Sequence, residues 1–425
     1  MAAETFLITG ASGFIGGWLA ETLLMRGGVD VRAGMRRWSK AVRLARFGLE
    51  PVLLDVMKPE QIAAALNGAG SAESGALRVI HTAYGSAHVT VEGTHNVLEA
   101  ALRAGAARFV YISTTEVYGT PSGEVDETYA LAPTGNEYGD SKIEAERLCW
   151  EYGDRGLPVT VVRPTIVYGP FGRTWTVEMA TKLQSGKWGV FEGYGGGPCN
   201  LVYVSDLVEG ILLAARHPAA VGQAFNLSGP QPITWNEYFA RFNAAMGLPD
   251  LERVEPNRMR LRATLMSPVR SAARLAQKRF DRSLRRLAAQ FRPAKQAMLS
   301  AEKSIRSSPR FEDLELYNRD ALYATRKAQQ LLGYRPRFGV DRGLELTVAW
   351  LRNVGLVPSA GDPASTGEDP ERRIPDLVQR AELLARRGEG LVQKGEDLQG
   401  IGLFLESEDL AHRGGDPVKR NGGPA

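Results

Sequence analysis

Only two cysteines, Cys149 and Cys199, occur in 425 residues. At most one disulfide can form, the pair has no metal-ligand spacing, and a reducing, cytoplasmic setting is the simplest reading. No metal site is expected. No stretch comes near the roughly 18 uninterrupted apolar residues that a membrane span needs. The first residues, MAAETFLITGASG, lack the basic and long apolar regions of a secretory leader, so none is expected. Charge does not lean hard either: 52 Lys/Arg against 48 Asp/Glu leave +4, too little by itself to imply nucleic acid. Apolar residues make up 44% of the chain and charged residues 24%, which excludes a largely disordered or collagen-like chain and leaves a globular protein with a sizeable core. Length suggests roughly two to three domains, or one large domain with appendages.

Short apolar runs alternate with amphipathic stretches from Thr5 to about Arg163. The runs are Phe6–Thr9, Val29–Val31, Val52–Leu54, Val79–His81, Phe109–Ile112 and Val159–Val162, each too short for a helix and rich in β-branched residues. Helical patterns such as Phe14–Arg26 and Val91–Ala104 lie between them. This alternation predicts βαβ units and an α/β, doubly wound parallel sheet. Two later runs, Leu201–Val204 and Ala224–Leu227, predict more strands in the second half.

The first strand runs into Thr9-Gly10-Ala11-Ser12-Gly13-Phe14-Ile15-Gly16, where a helix begins. Glycines at this spacing let the backbone turn tightly and approach a pyrophosphate, which then faces the helix N-terminus. Packing alone also produces such turns; position at the first strand of a βαβ series gives this one its weight. The second strand ends Gly34-Met35-Arg36-Arg37, with Met35 where an NAD site presents an acid to the ribose hydroxyls. Arg36 follows, able to pair with a 2′-phosphate, which favours NADP over NAD; a solvated basic turn is the alternative. Asp55, ending the third strand, either accepts a hydrogen bond from the adenine amino group or caps the next turn.

Tyr138-Gly139-Asp140-Ser141-Lys142 sets a phenol and an ammonium four residues apart, on one helix face. A free tyrosine titrates near 10, too high for a base at neutral pH. A lysine one turn away, together with an oxidised nicotinamide, is expected to favour the phenolate and lower that value. The fifth strand ends Ser113-Thr114-Thr115-Glu116-Val117-Tyr118-Gly119, so Thr114 lies at a carboxyl end, where such sheets bind ligands. Satisfying turn backbone is the other use for these hydroxyls.

These residues resemble the extended short-chain dehydrogenase/reductase family of NAD(P)-dependent nucleotide-sugar epimerases and dehydratases. The resemblance spans about residues 4–355 and includes Arg163-Pro164-Thr165-Ile166-Val167-Tyr168-Gly169-Pro170, Val202-Tyr203-Val204-Ser205-Asp206-Leu207 and Leu332-Gly333-Tyr334-Arg335-Pro336. It implies a Rossmann domain over 1–170, completed by strands from about 200–230, and a smaller C-terminal substrate-binding lobe over 171–357. It implies Tyr138 as catalytic base, Lys142 as its partner and Thr114 as the hydroxyl of the triad. Gly10, Ser12, Gly13, Phe14, Ile15 and Gly16 would form the cofactor loop, joined by Arg36, Asp55, Val56, Ala83 and Pro164. Arg173, Asn200 and the Gly193–Gly197 loop would meet a nucleotide diphosphate, and a homodimer is implied. The chain departs from the sugar dehydratases, whose triad threonine precedes an Asp–Glu pair. Here Thr115-Glu116 follows Thr114; Glu116 can serve as a base, but the proton donor is missing.

Two enzyme readings remain. One is conversion of a nucleotide sugar through a keto intermediate. The other is NADPH-dependent reduction or oxidation of a non-sugar carbonyl or alcohol. A third, a cofactor-bound regulator without turnover, fits poorly with a retained Tyr138 and Lys142.

Residues 251–310 carry 16 Lys/Arg against 4 Asp/Glu. Within them Val269, Ala273, Ala276, Phe280, Leu284, Leu287 and Phe291 recur as one apolar helical stripe. A membrane-peripheral helix, a lid whose arginines meet the substrate's phosphates or dock an acidic carrier protein, and a flap packed on the protein's own surface are the readings open here. Nucleic acid is not expected, because no aromatic platform accompanies the charge. Residues 358–425 read as a linker and a disordered tail.

Overall fold

The computed structural model describes residues 4–38, 41–69, 75–186, 188–255 and 311–358. The apolar stripe from Val269 to Phe291 and the tail beyond Pro358 lie outside the described residues.

Seven parallel strands form the central sheet. They are β1 (Glu4–Thr9), β2 (Val29–Met35), β3 (Val52–Leu53), β4 (Leu77–His81), β5 (Arg108–Ile112), β6 (Val159–Pro164) and β7 (Gln223–Leu227). Their spatial order is β7-β6-β5-β4-β1-β2-β3. The chain reverses direction between β1 and β4, where the register aligns Thr9 with His81. A crevice opens beyond the carboxyl ends at such a switch point.

Helices cover both faces, as strands buried on both sides demand. One face carries α1 (Phe14–Arg26), the short α2 (Val42–Ala45), α7 (Val204–Arg216) and α10 (Arg326–Leu332), packed through Leu19, Leu44, Ile211 and Leu332. The other carries α3 (Pro59–Leu66), α4 (Ala87–Arg103) and α5 (Glu137–Asp154), through Ile62, Leu98 and Cys149. The α4 helix starts a turn before the expected Val91, because the Ser86 hydroxyl accepts from Val89 N and caps it.

A second apolar core gathers aromatic side chains: Phe191, Trp235, Phe239 and Tyr317. It is built from α6 (Met179–Gln184), α8 (Trp235–Met246), α9 (Phe311–Tyr317) and α11 (Val340–Asn353). The two late strand runs separate. Ala224–Leu227 joins the central sheet beside β6, whereas Leu201–Tyr203 pairs in parallel with Ile166–Tyr168 outside it, and Val204 already opens α7. Among the described residues no helix is long and apolar enough to cross a membrane.

Candidate active site

β1 delivers Thr9 to the crevice, and Gly10 turns the chain with φ +68°. Gly13 N donates back to the Gly10 carbonyl at 2.8 Å, and α1 starts at Phe14 without a side-chain cap or an acidic residue in its first turn. Its first N–H groups are thus left for an anion. The cradle is tight. A Cβ on Gly16 would sit 2.5 Å from the Gly10 carbonyl oxygen, and one on Gly10 would sit 2.9 Å from the Ala83 backbone. Glycine is required at both places, and a dinucleotide pyrophosphate fits the backbone so exposed. Ser12, Phe14 and Ile15 are half-buried around the turn.

Below the loop, a relay joins three elements. Ala83 N donates to Thr9 Oγ1 at 3.3 Å, and Thr9 Oγ1 lies 2.7 Å from His81 Nδ1. His81 Nε2 lies 3.1 Å from Thr94 Oγ1, which donates to the Thr90 carbonyl. A neutral imidazole protonated on Nε2 satisfies every bond. Burial, with the Lys142 ammonium adding to it, lowers His81 to about 3.

At the end of β2, Met35 is buried and Arg36 emerges exposed, with no ion pair among the described residues. Asp55 caps its turn: Oδ1 accepts from Met57 N at 3.0 Å. Of the two uses left open for it, the structure displays this one. Val56 is buried beneath α4, where a Cβ on Gly93 would strike it.

The proton-handling side chains converge from β5 and α5. The Tyr138 hydroxyl is close enough to Thr114 for that side chain to hold its titration down, and Thr114 Oγ1 accepts from Glu116 N at 3.2 Å. Asn136 caps α5 by accepting from Tyr138 N, and Gly139 lets the helix approach the Glu116 backbone. In the protein alone Lys142 does not lower the Tyr138 phenol; the expected lowering needs the oxidised nicotinamide as well. Desolvation inside the crevice dominates, with Tyr84 and Glu116 adding to it, and pushes Tyr138 up to about 12 although the ring itself is 40% exposed. The ammonium of Lys142 does not offset this, because it donates to the Ile112 carbonyl at 2.8 Å and lies 6.0 Å from the Tyr138 ring centroid. Burial lowers Lys142 itself to about 8.

Two side chains that sequence reasoning missed complete the wall. Tyr84, between β4 and α4, stands edge-on to Tyr138 with centroids 6.0 Å apart. Arg319, from the turn after α9, reaches Glu116 at 3.5 Å. Neither carries a local motif; only the fold brings Arg319 to β5.

Asn318, beside it, lines an open cleft of about 390 Å³ with Glu192, Gly193, Tyr194, Gly196, Asn236 and Arg253. Asn236 shapes the rim by accepting from Phe191 N and donating to the Phe191 and Tyr194 carbonyls. The other expected substrate residues are engaged in the fold. Arg173 pairs with Glu178 at 2.9 Å. Asn200 donates to the Ala321 carbonyl and accepts from Tyr323 N, holding the Ala321–Tyr323 strand. Pro164 closes β6 beside the site.

Residues 6–228 match the sequence model of the NAD dependent epimerase/dehydratase family, and the chain belongs to that family. That family belongs to the extended short-chain dehydrogenase/reductase class. A 3 beta-hydroxysteroid dehydrogenase/Delta 5-->4-isomerase of Mycobacterium tuberculosis (strain ATCC 25618 / H37Rv) is 31% identical over 258 residues, covering 55% of this chain and 66% of that relative, just under two thirds of its length. An uncharacterized UDP-glucose epimerase of Bacillus subtilis (strain 168) is 29% identical over 248 residues, covering 53% of this chain and 77% of the relative. Among solved structures, UDP-glucuronic acid 4-epimerase from Bacillus cereus in complex with NAD superposes with a TM-score of 0.59 at 19% identity, covering 82% of this chain and 99% of that one. This last likeness is one of fold.

Proposed function

We propose that the chain converts a nucleotide sugar through a keto intermediate, with Tyr138 moving the proton of the reacting hydroxyl. The observation that carries this is the convergence of Thr114, Tyr138 and Glu116, with Glu116 meeting Arg319 at 3.5 Å, next to Asn318 in the lining of an open cleft with glycines, Tyr194 and Arg253. A phosphate-bearing substrate could lie along that cleft with its sugar at Tyr138. The epimerases among the relatives support the same substrate class.

Gly10, Gly13, Gly16 and the α1 N-terminus would hold the dinucleotide, with Val56, Ala83 and Pro164 as further contacts. Bound there, it supplies removal of a hydride from the substrate carbon and its return. Held at about 12, Tyr138 rests protonated, so a proton is available at its hydroxyl for a ketone oxygen, although burial makes the phenol a weaker acid than a free tyrosine. Taking a hydroxyl proton requires positive charge near the phenolate, and Lys142 is the cation on that helix face. Thr114 orients the oxygen that Tyr138 serves. Glu116 is placed to take a proton from the carbon beside a ketone. Thr115 stands where an elimination would need an acid, so epimerisation fits better than 4,6-dehydration.

A second reading, a non-sugar alcohol or carbonyl substrate, is supported by the 31% identical hydroxysteroid dehydrogenase and by Arg36. Arg36 is exposed and unpaired among the described residues at the end of β2, as a reader of a 2′-phosphate would be, which fits an enzyme that exchanges NADPH at each turnover to reduce a carbonyl. Denaturing freshly purified protein and identifying the released nucleotide by mass spectrometry separates the two. Close to one retained NAD or NADP per chain is expected. An empty protein that binds added NADPH far better than NADH would overturn recycling in place and favour the reductase.

A further inference from the structure

We propose that Glu146 is a positioning residue for this site: one buried carboxylate that fixes the strand end carrying Thr114 to the helix carrying Tyr138 and Lys142. The proposal rests on the reading above, in which those three side chains handle the proton. Residues 138, 142 and 146 are spaced by four along α5 and share one face of it. The Glu146 side chain is buried, and its two oxygens serve two strands at once. Ser113 Oγ donates to Oε1 at 2.5 Å, while Arg163 donates from Nη2 to Oε2 at 2.6 Å and from Nε to Oε1 at 3.1 Å. Ser113 immediately precedes Thr114, and Arg163 immediately precedes Pro164.

The connection continues outward. Arg163 Nη1 donates to the Tyr118 hydroxyl at 2.8 Å, and that hydroxyl donates to Asn226 Oδ1 on β7 at 2.8 Å. The carboxyl ends of β5, β6 and β7 and one face of α5 are therefore tied through a single buried carboxylate. An ion pair buried this deeply adds little net stability over a well-packed apolar pair of similar volume. What an apolar pair would not supply is directional bonding, which sets the height of α5 against β5, and with it the meeting of Tyr138 and Thr114. Glu146 also reaches Lys142 electrostatically. Burial lowers that ammonium, and Cys149 and Glu146 hold it from falling further, while His81 and the Tyr84, Tyr111 and Tyr138 rings face it from the neighbouring elements.

The test uses the full chain and needs no substrate, so its outcome is independent of whether the sugar assignment holds. Three variants are compared with the parent: Glu146→Gln; the double change Glu146→Gln with Arg163→Gln, which avoids stranding a buried cation if the single variant does not fold; and Ser113→Ala. Lys142 is titrated by NMR on protein labelled in lysine side chains, its signal assigned by absence in Lys142→Met. Hydrogen exchange is followed by mass spectrometry over residues 112–118 and 137–142. Lys142 is expected to titrate about one pH unit lower in whichever Glu146 variants fold. Ser113→Ala is expected to leave that titration in place but speed exchange around Thr114 several-fold, and Ser113→Thr to restore it. Variants that melt earlier while Lys142 titrates as in the parent, with exchange around Thr114 unchanged, would overturn the proposal and leave the pair a structural tie.

Discussion

The Lys142 ammonium donates to the Ile112 carbonyl at 2.8 Å, turned to the strand beneath α5 and away from the phenol one helical turn before it. The bond anchors the lysine where β5 ends, within two residues of Thr114. It also buries a cation in a place where few charges compensate it, which is why Lys142 is lowered to about 8.

That cost gives a pH signature. With a folded value near 8 and an ordinary one near 10.5, the folded state holds fewer protons on Lys142 than the unfolded chain throughout that window. Stability from this group therefore rises as pH climbs from 8 to 10.5, by up to about 1.4 kcal/mol per pH unit. Lys142→Met removes the slope. Denaturant unfolding at pH 7.5 and pH 9.5, as round working values, should show the parent gaining on the variant; an equal difference at both would refute the buried-cation account.

His81 acts in the same direction at lower pH. Its folded value of about 3 lies far below the ordinary 6.5, because the ring is buried neutral between Thr9 and Thr94. Between those values the unfolded chain takes up a proton that the folded state refuses. Stability is fully present above 6.5 and falls as pH drops through the window, by up to about 1.4 kcal/mol per pH unit. His81→Gln should flatten this acid limb in urea unfolding. Persistence of the limb in the variant would place the proton uptake elsewhere.

The cradle predicts a graded series. Gly16→Ala forces a Cβ to within 2.5 Å of the Gly10 carbonyl oxygen, so backbone must move, whereas Gly13→Ala meets that oxygen at 3.1 Å. Overpacking of the first kind costs on the order of 1–3 kcal/mol and reshapes the loop. Isothermal titration with NADH and NADPH should show at least about a tenfold loss for Gly16→Ala and a much smaller one for Gly13→Ala. Equal losses would mean that the loop tolerates displacement and that the close approach is unimportant.

Much of this was legible locally. The alternation of β-branched runs with amphipathic stretches marks the seven strands, because a strand buried on both faces has little choice of residue, and the glycine spacing marks the turn after β1. Thr114, Tyr138 and Lys142 could be paired on paper because they sit on adjacent elements with one register between them. Arg319 could not, since more than two hundred residues separate it from Glu116 and its meeting depends on where α9 ends. The direction of Lys142 was equally hidden, as its partner is a main-chain carbonyl, which any residue type supplies. The sheet positions of Leu201–Tyr203 and Ala224–Leu227 were hidden for a related reason: both runs have strand composition, and only the packing of α7 between them decides which reaches β6.

Glu116 and Arg319 provide the sharpest separation of stability from function. Both side chains are about a third exposed and approach at 3.5 Å, so solvent screens the pair and its contribution to folding is about 0–1 kcal/mol. Arg319→Met keeps the length of the side chain and removes its charge. The variant is expected to melt within a few degrees of the parent. In a screen of UDP-sugars, however, it should raise KM for the substrate that proves active by about tenfold if the cation meets substrate phosphate, an effect worth about 1.4 kcal/mol in a group that contributes less than that to the fold. Glu116→Gln, by contrast, leaves Arg319 in place and should lower kcat with little change in KM if the carboxylate takes a proton from carbon. A matched fall in melting temperature and activity in both variants would instead make the pair a clamp between the turn after α9 and the end of β5, with no part in the reaction.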